Sequence, residues 1–121
     1  MHNYFSDDEL RCKCGCKQML FDPAVREKLN ALRHDYGKPM IVSSGYRCEL
    51  HPVEVRKKTP GEHTQGCAVD IRVALSDAYD LLEVAFRHGV PRIGVQQKNA
   101  PETRFIHLGW SCLTAKTVWS Y

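Results

Sequence analysis

The sequence predicts an α+β domain in which a small antiparallel sheet carries two or three helices. Three observations lead there. Two stretches place apolar residues at helical spacing between clear start and stop signals. About five short segments carry strand character. The last three of these are joined by short links, which favour antiparallel pairing. A chain of 121 residues fits a single domain over 1–121 and is long enough to bury a modest core without staples.

Taken in order, Ser6 followed by Glu9 is a capping-box pattern and opens a short helix. A cysteine-rich loop follows. Asp22-Pro23 supplies an N-cap and a favoured first helical residue, Val25, Leu29, Leu32 and Tyr36 share one helical face, and Gly37 ends the helix. Met40 to Ser44 reads as a buried strand. Residues 45–66 are polar and rich in turn formers, and a loop of that length in a small domain is usually functional. Ala68 to Leu75 alternates Val69, Ile71, Val73 and Leu75 against Asp70 and Arg72, as a strand does. Ser76 then caps a helix carrying Leu81, Leu82, Ala85 and Phe86 and ending at Gly89. Three strands close the chain, roughly 92–97, 104–110 and 117–121.

Composition narrows the function classes. Apolar content of 43% and charged content of 26% are ordinary for a globular protein. No apolar run approaches the ~20 residues that span a bilayer, so membrane insertion is not expected. The first nine residues have neither the basic start nor the apolar stretch of a signal peptide, which points to synthesis in the cytoplasm. A net charge of +3 is weak, and Arg56-Lys57-Lys58 is the only compact basic run. It reads as a solvated loop or as a mild attractor of an anionic polymer. No basic stripe is interleaved with aromatics, so nucleic acid is not an expected partner.

Six cysteines without a signal peptide argue against a disulfide framework. Cys12, Cys14 and Cys16 fall in Cys-Lys-Cys-Gly-Cys, a tighter spacing than that of a zinc knuckle, with Cys48 a possible fourth member in space. Packed free thiols, a small structural metal site and a disulfide all fit this pattern. Cys67 and Cys112 read as small buried residues flanking the site described next.

That site is His63, Asp70 and His107. Two imidazoles and a carboxylate are a frequent ligand set for catalytic zinc, because three protein ligands leave the fourth tetrahedral position open. His63 lies in the loop before the strand that holds Asp70, and the loop is long enough to fold the imidazole back. His107 lies in another strand. Adjacent strands run ~4.8 Å apart, so Asp70 and His107 can meet on one sheet face. Asp70 interrupts an apolar alternation, and a buried carboxylate needs a metal or a polar partner. Arg72 or Arg47 would also serve as that partner.

Several segments together resemble a known family. They are Gly37-Lys38-Pro39, Val42 to Cys48 (Val-Ser-Ser-Gly-Tyr-Arg-Cys), His51, His63 to Ile71, Arg92 to Val95, Phe105-Ile106-His107 and Trp119-Ser120-Tyr121. A Phe-plus-acidic start and a cysteine-rich stretch run from Phe5 to Cys16. Ser-Gly-Tyr-Arg together with His-x-x-Gly-x-Ala-x-Asp is a specific combination. The chain resembles the zinc D,D-carboxypeptidases and L-alanyl-D-glutamate endopeptidases, in the small form found in phage endolysins and tail-associated wall hydrolases. The resemblance covers nearly the whole chain. It implies the fold shared with the Hedgehog signalling domain, an antiparallel sheet bearing the zinc.

The resemblance further implies His63, Asp70 and His107 as zinc ligands and Arg47 as the arginine that binds a substrate carboxylate or steadies an oxyanion. A structural ion pair is the other reading of Arg47. Ser44 and Tyr46 would line the pocket, and His51 takes the place of a loop histidine of unassigned role. The activity implied is hydrolysis of peptidoglycan stem peptides by a monomeric enzyme that acts on the wall after release or delivery. Two departures stand out. Many relatives carry an acidic residue three positions before the last ligand, where this chain has Arg104. Many small relatives read His-x-Asp, where this chain has Gly109. Glu102 is then the expected proton-accepting carboxylate, with Glu62 the weaker choice. The missing carboxylates also leave room for a non-catalytic, zinc-stabilised domain that binds cell wall or protein. A cysteine-ligated zinc module for nucleic acid rests on the cysteine cluster alone.

Overall fold

Residues 3–16, 18–48, 50–51, 61–111 and 115–121 are described by the computed structural model. The first helix, α1 (Asp7–Leu10), is a single turn held by its cap. Ser6 accepts from the Glu9 amide, and the Glu9 side chain accepts from the Ser6 amide. In α2 (Pro23–Tyr36), Asp22 caps the Ala24 amide, Pro23 starts the helix, and Gly37 ends it in the left-handed conformation. Val25, Leu29, Leu32 and Tyr36 are its buried face, as their spacing requires.

The strands are β1 (Ile41–Ser44), β2 (Ala68–Arg72), β3 (Arg92–Gln96), β4 (Phe105–Gly109) and β5 (Thr117–Ser120). The third helix, α3 (Leu75–Arg87), links β2 to β3. Two local expectations change here. The strand stops at Arg72 instead of Leu75, and α3 begins at Leu75, behind Ala74, without a side-chain cap from Ser76. The helix is instead fixed by burial of Ala78, Leu81, Val84 and Ala85, while Phe86 faces solvent.

The sheet order is β1-β2-β4-β3-β5. All neighbours are antiparallel except β3 and β5, which are parallel. The sheet is antiparallel as expected except at its β3–β5 edge, which makes it mixed. Both edges of β4 are taken by β2 and β3, so β5 reaches past β3 to that strand's free edge.

Pairing register sorts the side chains into two faces. Val69 lies beside Leu108, which lies beside Ile93, and Ile71 beside Ile106, beside Val95. These residues join Leu29, Leu32 and Leu81 from α2 and α3 in the main core. The next row across the sheet is Ser44, Asp70, His107, Gly94 and Trp119, on the opposite face. Strand β2 is buried along both faces except at Arg72, because helices cover one and the polar row's own partners cover the other.

Candidate metal centre

Asp70 and His107 are direct cross-strand partners. Their shared register brings His107 Nδ1 to 3.0 Å from Asp70 Oδ1. The third group comes from a one-turn 3-10 helix, Glu62–Gln65. Gly66 closes that turn with a φ of 69°, its amide returning to the His63 carbonyl, and its Cα lies so close to the Leu20 carbonyl that a Cβ would collide. This is the physical content of the His-x-x-Gly spacing. One tight turn before β2 swings His63 back over the strand, and His63 Nε2 comes to 3.3 Å from Asp70 Oδ1.

His63, Asp70 and His107 are 3%, 7% and 5% exposed, so they meet out of bulk water. Each offers a ligand atom, and the three atoms lie within 4.8 Å of one another. Donors ~2.0–2.1 Å from a tetrahedral ion stand about 3.3 Å apart, so the spacing matches a metal triad. The protonation pattern agrees. His63 Nδ1 is 2.7 Å from the Gly45 carbonyl, which only accepts, so Nδ1 carries the proton. In the neutral ring, Nε2 then points its lone pair at a carboxylate oxygen. A proton or a metal cation between Nε2 and the carboxylate satisfies both lone pairs. Burial opposes ionisation of Asp70, but His107 and His63 outweigh it and hold the carboxyl far below its usual range. The residues fit a divalent metal.

The Peptidase M15 family matches this chain over residues 3–109. The chain belongs to the M15 peptidase family. No curated protein matches it. The family is metal-dependent, and His63, Asp70 and His107 of this M15 metallopeptidase form a group that could hold the ion.

The site lines a pocket of about 440 Å³ whose walls include Arg47, Glu62, Arg92, Phe105, Trp119 and Tyr121. A cleft of about 560 Å³ near Lys28, Pro91 and Trp110 is larger, but none of the clustered ligands line it. In this M15 peptidase Arg47 Nη2 reaches Asp70 Oδ2 at 3.2 Å, and Arg47 Nε donates to Ser44 Oγ at 2.9 Å. Arg47 is thus both an ion-pair partner and a pocket residue. Ser44 stands behind the guanidinium and orients it. Tyr46 packs with Cys12 and Cys48 and lines a different cleft, so the structure does not bring it to the metal pocket.

The expected carboxylate, Glu102, is exposed in the 3-10 turn Pro101–Thr103 and outside the pocket. Glu62 occupies the site instead. Its Oε1 lies 3.0 Å from His107 Nε2 and accepts from Arg92 Nε at 2.8 Å, while Oε2 accepts from the Ser111 amide at 3.1 Å. Burial raises the Glu62 pKa, but His107, Arg92 and Ser111 together bring it below the usual range. For His107, burial lowers the pKa, and the two carboxylates flanking the ring outweigh it.

Gly109 explains why Glu62 fits. It pairs with Ala68 on one side and Arg92 on the other, and a Cβ at 109 would overlap the Glu62 carboxylate. The Glu62 carboxylate therefore lies in the space that a side chain at position 109 would enter. Gly94 clears space in the same way for an aromatic ring. The Trp119 indole lies across it and stands 5.1 Å from the His107 ring, with the Arg92 guanidinium 5.0 Å from the indole. In the sequence Trp119 and Tyr121 stand out only as a terminal motif. Their place as pocket walls depends on β5 pairing outside β3.

His51 turns its amide back to the Cys48 carbonyl, and its role stays unassigned. Cys67 is buried beside the site as expected. Cys112 and the run Arg56-Lys57-Lys58 lie outside the described residues. Among the described residues, no helix is long and apolar enough to cross a membrane.

Proposed function

We propose that this M15 metallopeptidase is a zinc enzyme that hydrolyses peptidoglycan stem peptides, with His63, Asp70 and His107 as its metal ligands. The observation that carries the reading is the convergence of these three groups in a pocket that also presents the Arg47 guanidinium. A bound zinc would polarise the scissile carbonyl and lower the pKa of a bound water from ~15.7 toward ~7.

The chain's own residues divide the remaining work. Arg47, held by Ser44 and Asp70, offers guanidinium donors to a substrate carboxylate or to charge developing on the carbonyl oxygen. Glu62 accepts from His107 Nε2 and so presents Nδ1 as the ligand atom, the carboxylate–histidine arrangement of many metal sites. Because Glu62 is already bound by three donors, it acts chiefly by positioning. The exposure of Glu102 outside the pocket weighs against the proton-accepting role that its place in the sequence suggests. Phe105, Trp119 and Tyr121 supply an aromatic wall for the peptide. Burial pushes the Tyr121 phenol up, so its hydroxyl stays protonated and available to donate.

The engagement of Glu62 by three donors favours a second reading, a zinc-stabilised domain that binds wall peptide without cutting it. Digestion of purified peptidoglycan separates the two, with fragments identified by mass spectrometry beside a His63→Ala control. Zinc-dependent loss of terminal D-Ala supports a carboxypeptidase, and a new D-Glu amino terminus supports an endopeptidase. Wall binding without fragments would establish the second reading.

A further inference from the structure

We propose that Cys12, Cys14, Cys16 and Cys48 form a second metal centre, a four-thiolate structural zinc site separate from the peptidase pocket. Each cysteine offers its sulfur, and the four sulfur atoms lie within 4.8 Å of one another. Cys12 to Cys14 is 3.4 Å, Cys12 to Cys48 is 3.7 Å, and Cys14 to Cys48 is 3.4 Å. With Zn–S bonds of ~2.3 Å, sulfurs at the corners of a tetrahedron stand about 3.8 Å apart. None of the four is in a disulfide. An all-sulfur tetrahedral donor set selects zinc over the hard cations.

The surroundings are built for thiolates. The Cys48 amide donates to Cys12 Sγ at 3.3 Å, and the Gln18 amide donates to Cys16 Sγ at 3.4 Å. Such amide contacts to sulfur orient ligands and temper their charge. Cys12 and Cys48 are buried, while Cys14 and Cys16 face solvent, so the ion would sit at the surface between the N-terminal loop and the segment after β1.

That location gives the centre a task. Cys48 directly follows Arg47 on a four-residue strap, 45–48, that touches the N-terminal region on one side and the candidate metal pocket on the other. Toward the N-terminus, the Tyr46 amide donates to the Leu10 carbonyl at 2.9 Å. A Cβ at Gly45 would come within 2.8 Å of the Leu10 backbone. Toward the pocket, the Gly45 carbonyl accepts from His63, and the Arg47 amide donates to the His63 carbonyl at 3.1 Å. Zinc on the four sulfurs would lock this strap, and with it the orientation of His63 and Arg47.

Metal analysis of the full chain, prepared under reducing conditions, tests the proposal. The parent is expected to hold two zinc equivalents, His63→Ala one, and Cys14→Ser/Cys48→Ser one. Cobalt replacement adds a readout specific to sulfur. The intense sulfur-to-cobalt charge-transfer absorption is expected in the parent and in His63→Ala, and lost in the double cysteine variant. If that variant does not fold, the cobalt spectrum of His63→Ala decides alone. A parent with no equivalent beyond the one that His63→Ala removes would overturn the proposal, as would cobalt-loaded His63→Ala without sulfur-to-cobalt absorption. A thiol-bound equivalent in a protein that fails to cut peptidoglycan would leave this centre standing and remove only the peptidase reading.

Discussion

At the scale of single residues, the pocket turns on an exchange between positions 62 and 109. A glycine at 109 clears the volume that the Glu62 carboxylate fills, and that carboxylate holds His107 by its far nitrogen. Glu62→Gln keeps the shape but weakens the acceptor, and a carboxylate partner of a ligating histidine is typically worth ~10–100-fold in metal affinity. A loss of that size is expected in competition titrations against a chelator, with turnover falling alongside it. Glu102→Gln should leave both quantities at parental values; a large loss of turnover there would return the proton-accepting role to Glu102. Arg47→Lys keeps the charge but removes the planar fork. Reduced turnover with near-parental metal content is the expected result, read from the same two assays.

At the scale of elements, three devices deliver the four groups of the candidate site. Asp70 and His107 come from strand register, His63 from a closed 3-10 turn, and Arg47 from a strap pinned against α1. The helices behind the sheet are tied at their ends. His88 Nε2, just past α3, lies 2.7 Å from Asp35 Oδ2 near the end of α2. The hydrogen bond from His88 pulls the Asp35 pKa down, although both groups are partly exposed. A carboxylate whose folded pKa is depressed adds stability above its unfolded pKa, and that stability is lost as pH falls through the folded value. Asp35→Asn is therefore expected to lower the melting temperature modestly near neutrality, with the gap to the parent closing below about pH 4. A gap that persists unchanged into strong acid would assign the effect to packing instead.

At the scale of the whole molecule, stability and chemistry occupy opposite faces of one sheet. The main core joins Leu29, Leu32, Leu81, Ile93, Ile106 and Leu108, while the polar row lies on the other side. Removing metal from the candidate pocket should accordingly abolish hydrolysis while the sheet and helices persist. Far-UV circular dichroism before and after chelation, with activity restored by added zinc, checks this. Core truncation should do the reverse. Leu81→Ala, at a fully buried position, is expected to cost about 2–5 kcal/mol in denaturant unfolding.

Much of this architecture is legible in the chain. Helix α2 can be read to its ends because its N-cap, initial proline, apolar period and terminal glycine are all local signals. The strands, and the meeting of Asp70 with His107, follow from period-two alternation broken by one costly carboxylate. The start of α3 is not legible, since Ala74 offers no capping side chain and burial alone fixes the helix there. Position 102 draws attention by nearness in sequence to His107, whereas Glu62 is near it only in space.

The sequence by itself determined the α+β class, the main elements and the three candidate ligands, because period, caps and motif spacing act over a few residues. Tertiary structure decided that β5 runs parallel outside β3, that Trp119 and Tyr121 wall the pocket, that the Glu62 carboxylate fills the space beside Gly109, and that four cysteines converge. These outcomes depend on which edge is free and which volume is empty once distant segments pack. Sequence spacing does not encode that geometry locally.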